Sequence, residues 1–125
     1  MTYKGKGVKV VLLKDANSQL NELIEVVNNE IARGIKTDNQ VLLNSIKQKI
    51  EFLRLNPAYG FHIPRNRIPK KYISKFGINN LWKINLSGAW RLIYTLKGNE
   101  IEIIALVLDI LNHYDYDKKF EYTKR

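Results

Sequence analysis

The strongest constraint on the fold is an alternation of apolar and polar residues that begins at Leu81. Three segments follow one another, LWKINL, AWRLIYTL and EIEIIALVLD, and short turns at Ser87-Gly88 and Gly98-Asn99 separate them. A period of two is typical of strands that bury one face, and short turns rich in glycine and asparagine are typical of β-hairpins. The sequence therefore predicts a three-stranded antiparallel meander. Its last strand is apolar on both faces, as a central strand is.

The two faces of this predicted meander differ in chemistry. Trp82, Trp90 and Tyr94 fall on one face together with leucine and isoleucine, which predicts that they belong to the core and do not stack on nucleobases. The opposite face is predicted to be polar and to present cations, and it receives Lys83, Asn85, Arg91 and Thr95.

Ahead of the meander, the sequence predicts one strand and two helices. Residues 8–12 alternate loosely, and apolar residues then recur at helical spacing over residues 20–31 and 42–53. Residues 15–17 have the composition of an N-cap for the first helix, and Gly34 is expected to end it. Thr37 and Gln40 have the spacing of a capping box for the second helix, which should end at Asn56-Pro57.

These elements together predict one α+β domain over residues 1–125. Their order is β-α-α-β-β-β, with two antiparallel helices packed on one face of an antiparallel sheet. Residues 110–125 form a short tail rich in aromatic and charged residues, and a short terminal helix is expected within it. The length of 125 residues is typical of a single domain with one core, and the 45% of hydrophobic residues makes a disordered chain improbable.

The positive charge of the chain is concentrated in its middle. The formal net charge is +9, and between Glu51 and Glu100 there are nine cations and no acidic residue. Polyanions are the natural partners of such a region, because each neutralised phosphate releases counterions. The alternative is a basic surface that only keeps the protein in solution.

Residues 57–80 carry most of these cations. Three prolines and two glycines interrupt this stretch, which predicts an irregular basic loop with one helical turn near Lys70 to Phe76. Five of its side chains are expected to attract RNA phosphates without sequence preference: Arg65, Arg67, Lys70, Lys71 and Lys75. His62 is expected to pack within the loop.

Composition also excludes several classes of site. The chain has no cysteine and two histidines, so thiolate metal sites, thiol nucleophiles and disulfide frameworks are absent, and a histidine-rich zinc site is not expected. The apolar run Val8 to Leu13 is interrupted by Lys9 and is too short for a signal-peptide core or a membrane span. A cytoplasmic location with no membrane partner is therefore expected.

The element LWKINLSGAWRLIY, the Gly-Asn turn after it and the basic loop before it resemble the RelE/ParE superfamily of type II toxins. The resemblance covers the element order of nearly the whole chain, and specific letters over residues 81–116. It implies one of two activities, which are cleavage of messenger RNA in the ribosomal decoding site without a metal or cofactor, or inhibition of DNA gyrase. It also implies an antitoxin protein that covers the toxin, and the basic surface here predicts that its contacting segment is acidic.

Cleavage by an RNA's own 2′-hydroxyl requires a base, a cation and an acid. Arg91 is the expected cation, since it cannot lose its charge; its alternative is an ion pair with a tail carboxylate such as Asp109. His113 is the candidate acid and base, with an exposed tail histidine as the alternative. Tyr116 and Tyr114 could each share this proton transfer or stack on a base, or either could anchor the tail. Lys83 is the expected second phosphate contact.

Three functions remain open from the sequence. The first is a ribosome-dependent endoribonuclease that uses Arg91, His113 and Tyr116. The second is a toxin that inhibits gyrase by binding alone, and the third is a basic RNA- or DNA-binding module without catalysis.

Overall fold

A computed structural model describes residues 2–120 of the chain. The helices and strands are β1 (Thr2–Tyr3), β2 (Lys6–Leu12), α1 (Lys14–Ala32), α2 (Asp38–Leu55), β3 (Phe61–His62), α3 (Lys70–Phe76), β4 (Trp82–Asn85), β5 (Arg91–Gly98), β6 (Glu102–Leu111) and α4 (His113–Phe120). Two 3₁₀ turns lie at Arg65–Arg67 and Ser87–Ala89. Within the described residues, no helix has the length and apolar character needed to cross a membrane.

The strands form one sheet in the order β1-β2-β6-β5-β4-β3. The predicted α+β class and the β4-β5-β6 meander are confirmed, and β6 is central as expected. The prediction of an antiparallel sheet was wrong in one pairing, because β2 runs parallel to β6 while all other neighbours are antiparallel. The long connection through three helices and three strands allows the chain to return beside its first long strand in the same direction.

The ends of the helices follow the predicted signals only in part. Thr37 caps α2, and its hydroxyl oxygen accepts a hydrogen bond from the backbone N–H of Asn39 at 3.2 Å. The side chain of Gln40 donates to the carbonyl of Ile35 instead of closing a capping box. The predicted cap of α1 was wrong, since the helix begins at Lys14 and places Asp15 inside its first turn.

One face of the sheet is covered by α1 and α2. The core between them contains apolar side chains from both helices and from β4, β5 and β6, including Ile46, Leu53, Leu92 and Val107. Tyr94 is fully buried in this core, and Trp82 and Trp90 pack against it half-buried. The prediction that these three aromatic residues are core residues is therefore confirmed.

The opposite face was expected to be polar and is instead mostly covered by a second apolar core. Residues 57–80 contribute Ile63, Ile68, Tyr72 and Ile78, and α4 contributes Phe120. The predicted irregular loop is thus an ordered cover, and the helical turn expected within it is α3. Ile63, Ile68, Tyr72 and Ile78 turn inward, whereas the cations of the segment lie outside.

Candidate functional site

Two cations lie side by side where the second core ends. In the β4–β5 register Lys83 pairs with Ile93 and Asn85 pairs with Arg91, so Lys83 and Arg91 project from the same face of the sheet. The predicted sharing of one face by these two residues is confirmed. Both side chains are half-buried.

Tyr116 of α4 holds these cations together. Lys83 Nζ donates a hydrogen bond to Tyr116 Oη at 3.1 Å. Lys83 Nζ and Arg91 Cζ each lie 5.2 Å from the centroid of the Tyr116 ring, within the range of cation–π attraction. The ring also stacks on Phe120, with centroids 4.5 Å apart. Tyr116 therefore anchors α4 and at the same time brings its hydroxyl to Lys83 and its ring to both cations. We call Lys83, Arg91 and Tyr116 the cation cluster.

Arg91 has no carboxylate partner among residues 2–120. Its Nη1 donates to the backbone carbonyl of Trp90 at 3.2 Å. Its Nε is buried and has no hydrogen-bond partner in the described part of the chain. The Arg91 guanidinium, which contacts the Tyr116 ring and one backbone carbonyl, therefore has N–H donors left that can bind an anion.

Asp109, the alternative partner of Arg91, is engaged elsewhere. It is buried and accepts hydrogen bonds from Tyr72 Oη at 2.7 Å and from Lys119 Nζ at 3.1 Å. The register of β6 shifts at this point, since Ile93 pairs with Asp109 and Tyr94 pairs with Val107. This β-bulge leaves Leu108 without a partner and turns Leu108 and Asp109 to the same side. The bulge therefore places the carboxylate on the face that carries Arg91, α3 and α4, and there Tyr72 and Lys119 engage it instead of Arg91.

His113 and Tyr114 lie at the start of α4 and project to solvent. His113 Nε2 lies 3.1 Å from Asp117 Oδ2, one helical turn further on, and the side chain is 61% exposed. Tyr114 is exposed as well. The structure thus brings together three of the predicted site residues in the cation cluster. The roles predicted for His113 and Tyr114 stay predictions.

The cations of residues 57–80 divide into two groups. Arg65, Arg67, Lys70 and Lys71 are exposed and form no ion pair within residues 2–120. Lys75 differs, because its Nζ donates to Asp15 Oδ2 at 3.0 Å and ties α3 to α1. This hydrogen bond lowers the pKa of Asp15 and raises the pKa of Lys75. The first four are therefore the better candidates for phosphate attraction.

Phe61 is a residue at this site that the sequence did not reveal. In the β3–β4 register it pairs with Lys83, which places its ring on the face of the cation cluster. Its side chain is 63% exposed. A two-residue strand has no readable period, so the only signal was an aromatic residue next to a basic segment. The neighbouring His62 is exposed and contacts Trp82 of β4 with centroids 4.7 Å apart, whereas packing within the loop was expected.

The segment that carries Phe61 is fixed to the core by Tyr94. Tyr94 Oη donates to the carbonyl of Pro57 at 2.9 Å and accepts from the N–H of Gly60 at 3.0 Å. Burial raises the pKa of Tyr94 to about 12. At Gly60 a Cβ atom would lie 2.7 Å from the backbone oxygen of Lys83, so the close approach of β3 to β4 requires glycine.

Comparison of the chain with models of protein families, with curated proteins and with solved structures finds no match. What the site can do chemically must follow from its geometry. Two cations against one tyrosine ring can bind a phosphate, and the Tyr116 hydroxyl keeps a proton that it can donate. Residues 57–80, which cover this side of the sheet, carry four further exposed cations without an ion pair among the described residues.

Proposed function

We propose that this protein is an endoribonuclease of the RelE/ParE toxin type, which binds an RNA phosphate at the cation cluster. The observation that carries this proposal is the convergence of Lys83 and Arg91 on Tyr116 without a compensating carboxylate among the described residues. Two adjacent, half-buried cations repel each other. An anion between them removes this repulsion and fills the empty donors of Arg91.

The proposed reaction needs only groups of the protein and the RNA. The 2′-hydroxyl oxygen forms a bond to the adjacent phosphorus while the bond to the 5′-oxygen breaks. Arg91 and Lys83 stabilise the negative charge that develops on the phosphorane oxygens. His113 accepts the proton of the 2′-hydroxyl, and the Tyr116 hydroxyl donates a proton to the departing oxygen. The products are a 2′,3′-cyclic phosphate and a free 5′-hydroxyl.

The substrate and the restraint of this activity also belong to the proposal. Along the chain, β2, α1, α2, β4, β5 and β6 come in the order that the RelE/ParE resemblance implies, although β3 and α3 lie between α2 and β4. This order supports the proposal. The parallel pairing of β2 and β6 departs from the antiparallel sheet expected there. The proposed substrate is messenger RNA on the ribosome, and the proposed inhibitor is an antitoxin whose acidic segment covers the cation cluster.

Messenger RNA integrity in a reconstituted translation reaction tests the proposal. The wild-type protein should cut within translated codons, and Arg91→Ala should lower the cleavage rate by about 100- to 1000-fold, as loss of a charge-stabilising donor does. Lys97→Ala is a matched control, because Lys97 is an exposed cation on the same face of β5, about 20 Å from Arg91. It should cut like the wild type. An intact message with the wild-type protein refutes the proposed cleavage.

A second function, RNA binding without cleavage, is favoured by the place of His113. This histidine faces solvent and pairs with Asp117, while the cluster itself consists of two cations and a tyrosine. If this function holds, RNA binding weakens in Arg91→Ala, is unchanged in His113→Ala, and proceeds without strand scission. Loss of cleavage in His113→Ala, with binding retained, would instead establish His113 as a catalytic group.

A further inference from the structure

Phe61 is exposed on a segment that is otherwise held firmly. Its ring is 63% exposed, whereas Ile63, two residues further on, is buried in the second core. Gly60 donates to Tyr94 and Ile63 donates to the carbonyl of Leu81 at 2.9 Å, so the backbone is bonded to the core on both sides of Phe61. An exposed phenylalanine on such a fixed backbone has little conformational freedom to lose when it binds a partner.

Phe61 lies directly beside the proposed phosphate site. Residues that pair across antiparallel strands have Cβ atoms about 5 Å apart, and Phe61 pairs with Lys83. Lys83 in turn contacts Tyr116, and Arg91 projects from the next strand on the same face. The ring therefore stands next to Lys83 at the edge of the sheet, with Arg91 one strand further in; within residues 2–120 no strand lies beyond β3.

An aromatic ring next to phosphate-binding cations has a specific complement. Single exposed apolar residues are common on protein surfaces and by themselves indicate nothing. Proteins that bind single-stranded nucleic acid, however, combine cations that contact the backbone with aromatic rings on which the bases stack. A protein partner would meet the same ring but would also have to cover two cations at its side.

We propose that Phe61 stacks on a nucleobase of the nucleotide whose phosphate binds the cation cluster, and so selects single-stranded over double-stranded RNA. This inference rests on the proposed RNA binding and adds a base subsite to it. A base in a duplex is already stacked on both faces and cannot reach the ring. Every base has an aromatic face, so the subsite requires an unpaired base and tolerates any sequence.

The test measures affinity for fluorescently labelled single-stranded RNA by anisotropy. The RNA is 2′-O-methylated throughout, because it then lacks the attacking hydroxyl and binding is separated from cleavage. A second strand of the same length has abasic sites in place of its bases. Phe61→Ala should bind the first strand roughly 5- to 100-fold more weakly, as loss of one stacked base predicts, and Phe61→Trp should bind like the wild type.

The abasic strand distinguishes stacking from indirect effects. Wild type and Phe61→Ala should bind it equally, since it offers no base to stack. Equal loss on both strands would mean that the substitution disturbs the cations, and would overturn the inference. Ile101→Ala is the matched control, because Ile101 is 77% exposed at the opposite end of β5 and β6 and should leave both affinities unchanged.

The outcomes also separate the base subsite from the proposed function. If the wild type binds and cuts RNA and Phe61→Ala does so equally well, the subsite is refuted while the ribonuclease stands. If the wild type binds neither strand, both fail together. If Phe61→Ala loses toxicity in cells but binds RNA unchanged, the ring contacts a protein and the inference is overturned.

Discussion

Replacing Tyr94 by phenylalanine should destabilise the protein although it removes a single oxygen atom. Tyr94 is fully buried, and its hydroxyl is bonded to two backbone groups, the carbonyl of Pro57 at 2.9 Å and the N–H of Gly60 at 3.0 Å. The substitution leaves both groups without this partner while the ring keeps its packing. An unpaired buried polar group costs about 1–3 kcal/mol. Gly60 is half-buried, so water can partly replace the hydroxyl there. We expect the free energy of unfolding to fall by about 2–3 kcal/mol.

Urea unfolding followed by circular dichroism measures this loss. Tyr94→Phe should lower the midpoint with an unchanged m value, since the native surface is the same. Tyr114→Phe is the matched control, because Tyr114 is 71% exposed and its replacement should change stability by less than about 0.5 kcal/mol. A loss below about 0.5 kcal/mol in Tyr94→Phe would refute the reasoning that the hydroxyl fixes residues 57–60.

The same residue gives a pH dependence with a defined sign. An unfolded tyrosine ionises near pH 10, whereas burial raises the pKa of Tyr94 to about 12 in the folded protein. Between these values tyrosine releases its proton in the unfolded state but keeps it in the folded state. The free energy of unfolding therefore falls by about 2–3 kcal/mol as the pH rises from 10 to 12. Tyr94→Phe lacks this loss, while the deprotonation of lysines affects both proteins equally. The stability difference between the two proteins should shrink to about 1 kcal/mol or less at pH 12. An unchanged difference would contradict the raised pKa.

Three further perturbations test other parts of the structure. Gly60→Ala should destabilise by about 1–3 kcal/mol in urea unfolding, because its Cβ would meet the Lys83 oxygen at 2.7 Å; wild-type stability would contradict the close approach. Asp109→Ala should lower the free energy of unfolding by about 1–3 kcal/mol, because Tyr72 loses a buried acceptor while half-exposed Lys119 is re-hydrated. Relative to the wild type, hydrogen exchange should become faster in α3 and α4 than in α2, and an equal increase in all three helices would count against this reasoning. Lys70→Gln should reduce the slope of log binding constant against log salt by about 0.7 for single-stranded RNA, and an unchanged slope would exclude Lys70 from phosphate contact.

Elements with local signals were predictable from the sequence. The alternation from Leu81 onward reflects side-chain positions that repeat every two residues, and it placed Lys83 and Arg91 on one face correctly. The apolar stripes of α1 and α2 reflect the helical repeat in the same way. For this reason the central part of the sheet, the first core and the common face of Lys83 and Arg91 could be predicted, whereas Tyr116 was predicted as a site residue without its contact to them.

The remaining features depend on contacts between distant residues. The pairing of β2 with β6 joins residues that lie 95 positions apart, and β3 is too short to show a period. The second core was not predicted, because the interpretation of residues 57–80 rested on their cations, whereas Ile63, Ile68 and Tyr72 turn inward. The bulge at Leu108 determines the face of the sheet from which Asp109 projects, and no residue type in this segment predicts a bulge. The partner of Arg91 therefore could not be decided from the sequence.

The parallel pairing of β2 with β6 has a consequence for the order of events during synthesis. β6 is the ninth of the ten helices and strands described, and it fills the centre of the sheet between β2 and β5. During translation the N-terminal strand and helices therefore emerge without the strand on which they close. Tyr116 follows β6 by five residues, so the cation cluster can assemble only after β6 and α4 have both left the ribosome. The RNA binding proposed for this cluster therefore cannot begin on a nascent chain that ends before α4.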